Sequence, residues 1–305
     1  MQHRRWTRAT ATMIASFSSI AMPHVSLLPS PSPIAFIGGG NMARSMIAGM
    51  IRQGAPSTSI CVIEPIAALR DALIADFNIK AVTTATEAAT DTSTWVLAVK
   101  PQVMPDVCAT LPLPVQPNTP LVISIAAGIT TCKLKHWLGD TCAIVRAMPN
   151  TPALLGAGVT GLFATSHTTA TQRTLAEELF NSVGKTLWIT EEALMDAVTA
   201  VSGSGPAYAF LLAEAMEAAA IMQGLSTANA RTLVQQTLLG AARMMTELGE
   251  TPAALRHRVT SPHGTTEAAI ATFQENDFQA LVAKAIDAAT RRARALGKAN
   301  DTEPT

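Results

Sequence analysis

One stretch constrains this chain more than any other. Ile34-Ala35-Phe36-Ile37 runs straight into Gly38-Gly39-Gly40-Asn41-Met42-Ala43. Four consecutive apolar residues stopped by glycine read as a strand buried on both faces. The residues that follow fit G-x-G-x-x-A where a strand ends and a helix opens, the context this pattern needs. Gly38 permits a tight turn, Gly40 lets backbone approach a pyrophosphate, and Ala43 lets helix and strand pack closely. The new helix offers free N–H groups and its positive dipole end to phosphates. A plain tight turn would use similar residues, but the strand–turn–helix setting favours a dinucleotide.

Further apolar runs at 60–63, 95–99, 121–125, 143–147, 159–163 and 186–189 alternate with helical stretches at about 41–52, 66–77 and 171–182. Strands alternating with helices predict a mostly parallel sheet covered on both faces. After Thr190 every segment reads as helix. Pro206 suits the first turn of a helix that stops at Gly224, Ser226 can cap the next, and a third covers 278–296. The expected fold class is α/β, an N-terminal Rossmann-type doubly wound sheet followed by an all-helical dimerisation domain. The predicted divisions are a tail at 1–33, a dinucleotide-binding domain at 34–190, a helical dimerisation and substrate domain at 191–298, and a tail at 299–305. The helix at 206–224 is apolar on nearly every side. A small helical domain cannot bury it alone, which predicts a homodimer built by these helices, with a higher homo-oligomer left open.

Composition removes whole classes. With 48% hydrophobic and 14% charged residues, the 305-residue chain can fill two cores. Net charge is zero and basic residues form no aromatic-laced stripe, so nucleic acid is not an expected partner. No apolar run reaches the roughly 18 residues needed for a bilayer span, so no membrane partner is expected. The four cysteines form no C-x-x-C pair and the six histidines no ligand spacing, so no metal is expected. Reduced cysteines point to a cytoplasmic protein. Residues 1–33 carry Arg4, Arg5 and Arg8 without an acid and end in a proline-rich stretch. They read as a targeting segment or as a tail from an over-extended start, with Met22 as a second possible start.

Ligands of open α/β sheets bind beyond the carboxyl ends of the strands. Glu64 closes the second strand, where an acid accepts a ribose 2′-OH and repels a 2′-phosphate, or serves only as a turn carboxylate. Ala98-Val99-Lys100-Pro101 and Ser124-Ile125-Ala126-Ala127-Gly128 close two more. Their small residues let a cofactor lie on the backbone. Lys100 reads as a general acid, a phosphate-side cation or a surface lysine. Asn150, in Arg146-Ala147-Met148-Pro149-Asn150-Thr151-Pro152, is a candidate hydrogen-bonding partner near a nicotinamide or a structural loop amide. In the helical part, Ser261-Pro262-His263-Gly264-Thr265-Thr266 is a polar loop opening a helix. Ser261, Thr265, Thr266 and the loop N–H groups could cradle a small carboxylate, or simply cap the helix.

These segments, together with Ser202-Gly203-Ser204-Gly205-Pro206-Ala207-Tyr208, occur in an order that resembles pyrroline-5-carboxylate reductases, from about Ile34 to Gly297. The resemblance implies hydride transfer from NADPH or NADH to a cyclic imine in a site shared by two subunits. It implies that Thr266 hydrogen-bonds the ring nitrogen as the catalytic residue. It further implies that Gly264 and Thr265 receive the substrate carboxylate, and that Glu192 lies near the proline site. Cofactor contacts are implied for Ile37, Gly38, Gly39, Gly40, Asn41 and Met42, for Ala98, Val99, Lys100 and Pro101, and for Ile125, Ala126 and Ala127. Three residues depart from the family pattern. His263 stands where a glycine or other small or polar residue is usual, and is costly if that position needs positive φ. Glu64 stands where Ser or Arg often holds a 2′-phosphate, and Ala85 where some members place Asn. The last two weaken the case for strict NADPH use. The competing enzyme reading, a 3-hydroxyacid dehydrogenase, needs a helix-borne lysine, and Lys185 and Lys284 lie outside the motif segments. A non-catalytic nucleotide-binding protein has only His263 in its favour.

Overall fold

A computed structural model of the chain describes residues 33–88, 92–113 and 120–299. The readings made for the rest of the two tails lie outside the described residues. Eight strands form one sheet: β1 Ile34–Ile37, β2 Ile60–Ile63, β3 Lys80–Val82, β4 Thr94–Leu97, β5 Leu121–Ser124, β6 Ala143–Met148, β7 Gly158–Ala164 and β8 Gly184–Trp188. Their order is β3-β2-β1-β4-β5-β6-β7-β8. Among the described residues only the β6–β7 pair is antiparallel. The chain has just nine residues between the end of β6 and the start of β7, spanned by a short turn at Thr151–Leu155. A parallel crossover needs about a dozen or more, so the strand must return antiparallel.

Helices α1 Asn41–Arg52, α2 Ala67–Phe77, α3 Met104–Thr110, α4 Thr131–Leu138 and α5 Ala170–Asn181 cover the sheet. Successive strand residues point to opposite faces. Phe36, Val62, Val96, Ile123 and Val145 pack against Met46, Ile47 and Phe180 on one side. Ile37, Leu97, Val122 and Ile144 pack with Trp95, Met104 and Leu134 on the other. Both faces are covered, which is why β1, β2 and β5 are uninterrupted apolar runs apart from Ser124. Each such side chain contributes roughly 1.5–3 kcal/mol on burial. Strand β3 was not anticipated. It is three residues long, and Lys80 is exposed at the sheet edge. The short helices α3 and α4 also escaped the periodicity reading.

The helical part begins with a turn at Glu192–Leu194 and the single-turn α6, Met195–Val198, which passes into a π-helical turn at Thr199–Gly203. Helices α7 Gly205–Met222, α8 Thr227–Glu247, α9 Pro252–Arg258, α10 Thr265–Glu275 and α11 Phe278–Ala299 follow. Pro206 occupies the first turn of α7 as anticipated. The Ser226 hydroxyl caps α8 by accepting from the Asn229 N–H at 3.3 Å. The all-round apolar α7 was expected to find no full cover within one chain, and no residue of it is buried there. Phe210 is 70% and Met222 80% exposed. Among the described residues no helix is long and apolar enough to cross a membrane.

Candidate active site

The strand order reverses at β1, which lies between β2 and β4, and the glycine turn sits at its carboxyl end. The Gly38 N–H donates to the Ile63 carbonyl at 2.8 Å, and the Ala98 N–H donates to the Ile37 carbonyl at 2.8 Å. Three strand ends are thereby tied around the switch point where α/β sheets bind ligands. Gly38 has φ +98°, and a Cβ there would fall 2.8 Å from the Ala98 carbonyl oxygen. Only glycine satisfies both conditions. Around the Cβ position of Gly40 nothing lies within 4 Å, and no side chain caps α1. Open space beside uncapped helix N–H groups fits a pyrophosphate. Asn41 is exposed and Met42 half-buried at this edge, while Ile37 lies beneath it.

Glu64 is held tightly. One carboxylate oxygen accepts from the Gly39 N–H at 3.0 Å and the other from the Ile66 N–H at 3.0 Å. Arg70, one turn into α2, donates to the Glu64 and Pro65 carbonyls at 2.8 Å each. Sequence reading noted Arg70 only as the first arginine to follow Glu64. The helical reading of 66–77 was enough to bring Arg70 back toward the strand end. Ala98 and Val99 are half-buried beside Gly38, whereas Lys100 is exposed ahead of the turn at Pro101–Val103. Ile125, Ala126 and Ala127 leave β5 at the same edge, and the Ile125 N–H donates to the Leu97 carbonyl at 3.2 Å.

Asn150 and Glu192 are committed to other groups of the chain. The Asn150 Oδ1 accepts from the Val159 N–H at 2.9 Å and its Nδ2 donates to the Ser202 carbonyl at 3.2 Å. Glu192 accepts from the Thr131 N–H at 2.7 Å, from the Thr131 hydroxyl, and from Arg146 Nη1 at 3.1 Å. Both oxygens of Glu192 thus have partners on α4 and β6. Sequence reading passed over Arg146, Thr131 and Asp196. Arg146, inside an apolar strand, was the one legible signal that a buried acid would be its partner.

The 261–266 loop is built before any ligand arrives. The Gly264 N–H donates to the Ser261 carbonyl at 3.1 Å, closing a tight turn. His263 has φ 58°, and its N–H donates to Glu267 at 2.7 Å. Gly264 precedes α10 and no side chain caps that helix. Since the Gly264 N–H is used within the turn, the amides of Thr265 and Thr266 are better placed to meet an anion. Ser261 and Thr265 are exposed and Thr266 is half-buried. The loop and the glycine turn are on different parts of one chain.

Three of the four cysteines are buried, and Cys132 is exposed. Burial pushes the Cys108 thiol up to about 12 and the Cys142 thiol to about 11, and raises Cys61 as well. Neutral thiols at ordinary pH are poor nucleophiles.

Known proteins resemble the chain in both parts. Residues 192–296 match the family model for pyrroline-5-carboxylate reductase dimerisation, and residues 33–128 match that for NADP oxidoreductase coenzyme F420-dependent. A pyrroline-5-carboxylate reductase of Pseudomonas aeruginosa is 49% identical over 265 residues, 87% of this chain and 97% of the relative. The solved structure of a pyrroline-5-carboxylate reductase from Coxiella burnetii superposes with a TM-score of 0.84 at 41% identity, covering 87% of this chain and 98% of that one. That of Plasmodium falciparum pyrroline carboxylate reductase with NADP bound gives 0.75 at 28%, with coverage of 87% and 98%. The glycine turn at the switch point, the order of the motifs and these likenesses agree, and the chain belongs to the pyrroline-5-carboxylate reductase family.

Proposed function

We propose that this chain reduces the C5=N bond of 1-pyrroline-5-carboxylate to give L-proline, the last step of proline biosynthesis, with NADPH or NADH supplying the hydride. The observation that carries this reading is a nucleotide-fitting turn joined in one chain to a preformed, anion-fitting loop at the start of α10. The dinucleotide-binding part is taken as 34–190 and the helical part as 191–298.

The chain's own residues have a modest task. The Thr265 and Thr266 amides, at the positive end of α10, bind the substrate carboxylate with help from the Ser261 hydroxyl. The Thr266 hydroxyl orients the ring nitrogen and passes it a proton from water. Gly38 to Met42, with Ala98 to Pro101 and Ile125 to Ala127, hold the nucleotide. Most of the acceleration then comes from proximity and orientation. No strongly shifted acid–base pair is needed, because a protonated imine is already electrophilic. Glu192 and Asn150 serve as framework, since each ties separate elements of the chain together. Glu64, set beside Arg70, accepts the ribose hydroxyls, and NADH is used at least as well as NADPH. A kinetic comparison of the two nucleotides checks this, and a strong NADPH preference would refute the role given to Glu64.

The 261–266 loop faces solvent in one chain, so the site is completed by a homodimer, with one copy's loop meeting the other copy's nucleotide turn. Mixed dimers test this directly. Thr266→Ala should lower turnover far more than nucleotide affinity, and Gly38→Ala should block nucleotide binding. In a dimer of one chain of each kind, one site combines an intact turn with an intact loop. Activity should return to roughly half that of the parent per mixed dimer. Dimers that stay as inactive as their parents would place turn and loop of each site on the same chain.

A further inference from the structure

Two of the six motifs meet where the sheet passes the chain to the helices. An α-helix gives each carbonyl an N–H from four residues on. Four residues beyond Ser202 stands Pro206, which has no N–H. The next N–H, that of Ala207, goes to the Ser204 carbonyl at 3.0 Å. The Ser202 carbonyl is therefore left over by the π-helical turn, and Asn150 Nδ2 donates to it at 3.2 Å. The other end of the Asn150 amide accepts from the Val159 N–H of β7 at 2.9 Å. Beside it, the Met148 side chain at the end of β6 lies over Gly203, its Cε 2.6 Å from where a Cβ would stand.

A second tie runs parallel to the first. Arg146 of β6 is 6% exposed and bonds Glu192 at 3.1 Å, with its other nitrogen 3.9 Å from Asp196 of α6. Asp196 also faces Arg294 of α11 at 3.8 Å. A buried ion pair adds little net stability over apolar packing of the same shape. What both ties supply is direction, because a planar amide and a planar guanidinium each bridge two elements at a set angle.

We propose that Asn150 and Arg146 are positioning residues that set the angle at which the helical arm leaves the sheet, and so hold the 261–266 loop in register with the partner copy's nucleotide. This rests on the shared site proposed above. Helix α7 has 18 residues, about 27 Å of lever, so a tilt of roughly 3° at its root moves the far end by about 1.4 Å. A misplacement on the order of 1 Å is enough to lower turnover about 100-fold.

Asn150→Asp is the selective test. It keeps the acceptor for the Val159 N–H, removes the donor and sets a carboxylate oxygen against the Ser202 carbonyl. Arg146→Lys keeps the charge but cannot reach Glu192 and Asp196 together. In the purified full-length dimer, kcat should fall at least tenfold in each. The NAD(P)H dissociation constant, read by fluorescence titration, should stay within twofold, and amide exchange across 199–208 should quicken. An unchanged kcat overturns the proposal. So does a loss of nucleotide affinity matching the loss in kcat, which would mean that Asn150 acts on the cofactor. If Arg146→Lys does not fold, Asn150→Asp decides alone. Thr266→Ala is run alongside. Loss there without loss in Asn150→Asp overturns the joint and leaves the shared site standing. No loss in Thr266→Ala removes only the role given to that hydroxyl, whereas mixed dimers that fail to recover activity remove the shared site, and the joint with it.

Discussion

His263 holds the left-handed conformation, φ 58°, in the turn that Pro262 opens and the Gly264 N–H closes onto Ser261. Proline in the second place and positive φ in the third describe a type II turn, in which glycine is favoured. A side chain there costs on the order of 1–2 kcal/mol. The bond from the His263 N–H to Glu267 ties the turn to the first coil of α10 and is one that glycine would keep. Glycine in turn loses more freedom on folding, by roughly 0.5–1 kcal/mol. His263→Gly should therefore raise unfolding free energy by at most about 1.5 kcal/mol and keep catalysis. Urea denaturation at fixed protein concentration measures it. A clear loss of stability would mean that the imidazole makes contacts worth more than its backbone strain.

At the scale of elements, β1, the glycine turn and α1 act as one piece. The turn is read from spacing alone, but its rigidity comes from β2 and β4, whose ends bond it on either side. Gly38→Ala adds a methyl 2.8 Å from the Ala98 oxygen at φ +98°. Either the turn or the Ala98 loop must shift, and nucleotide affinity should fall at least tenfold. Gly40→Ala points its methyl into open space and should leave the folded protein as stable as the parent in thermal melts. Equal nucleotide affinity in Gly38→Ala and parent would show that the turn can relax without harm. Periodicity caught the strands buried on both faces and the long helices. It missed β3, whose three residues are too few to show a period, and α3 and α4, which are too short for one to develop.

At the scale of the molecule, the arm is unfinished in one chain. Phe210, Leu211, Met222 and Leu281 are each more than 60% exposed. A cavity of about 630 Å³ opens between Leu212, Met216, Ile270, Phe273 and Phe278. Monomers rarely leave contiguous apolar patches larger than a few hundred Å² uncovered. Phe210→Asp should shift the protein toward monomer at micromolar concentration, seen by light scattering. Turnover should be lost while the sheet still binds NAD(P)H. A stable, active Phe210→Asp dimer would move the interface to another face of the arm.

By itself the sequence determined what is local: strands by their apolar runs, the nucleotide turn by three small residues at set spacing, the helical second part, and a polar loop where greasy helices should allow none. Those signals are carried by neighbours within a few positions, so one dimension holds them. Only the tertiary structure decided who partners whom. It gave the Asn150 amide to Ser202, 52 residues away, and the Glu192 carboxylate to Thr131 and Arg146. From sequence Asn150 read either as a nicotinamide contact or as a structural loop amide, and Glu192 had a place near the substrate only through the family resemblance. A side chain's polar atoms are assigned by whatever the fold brings within 3 Å, and no periodicity records that distance.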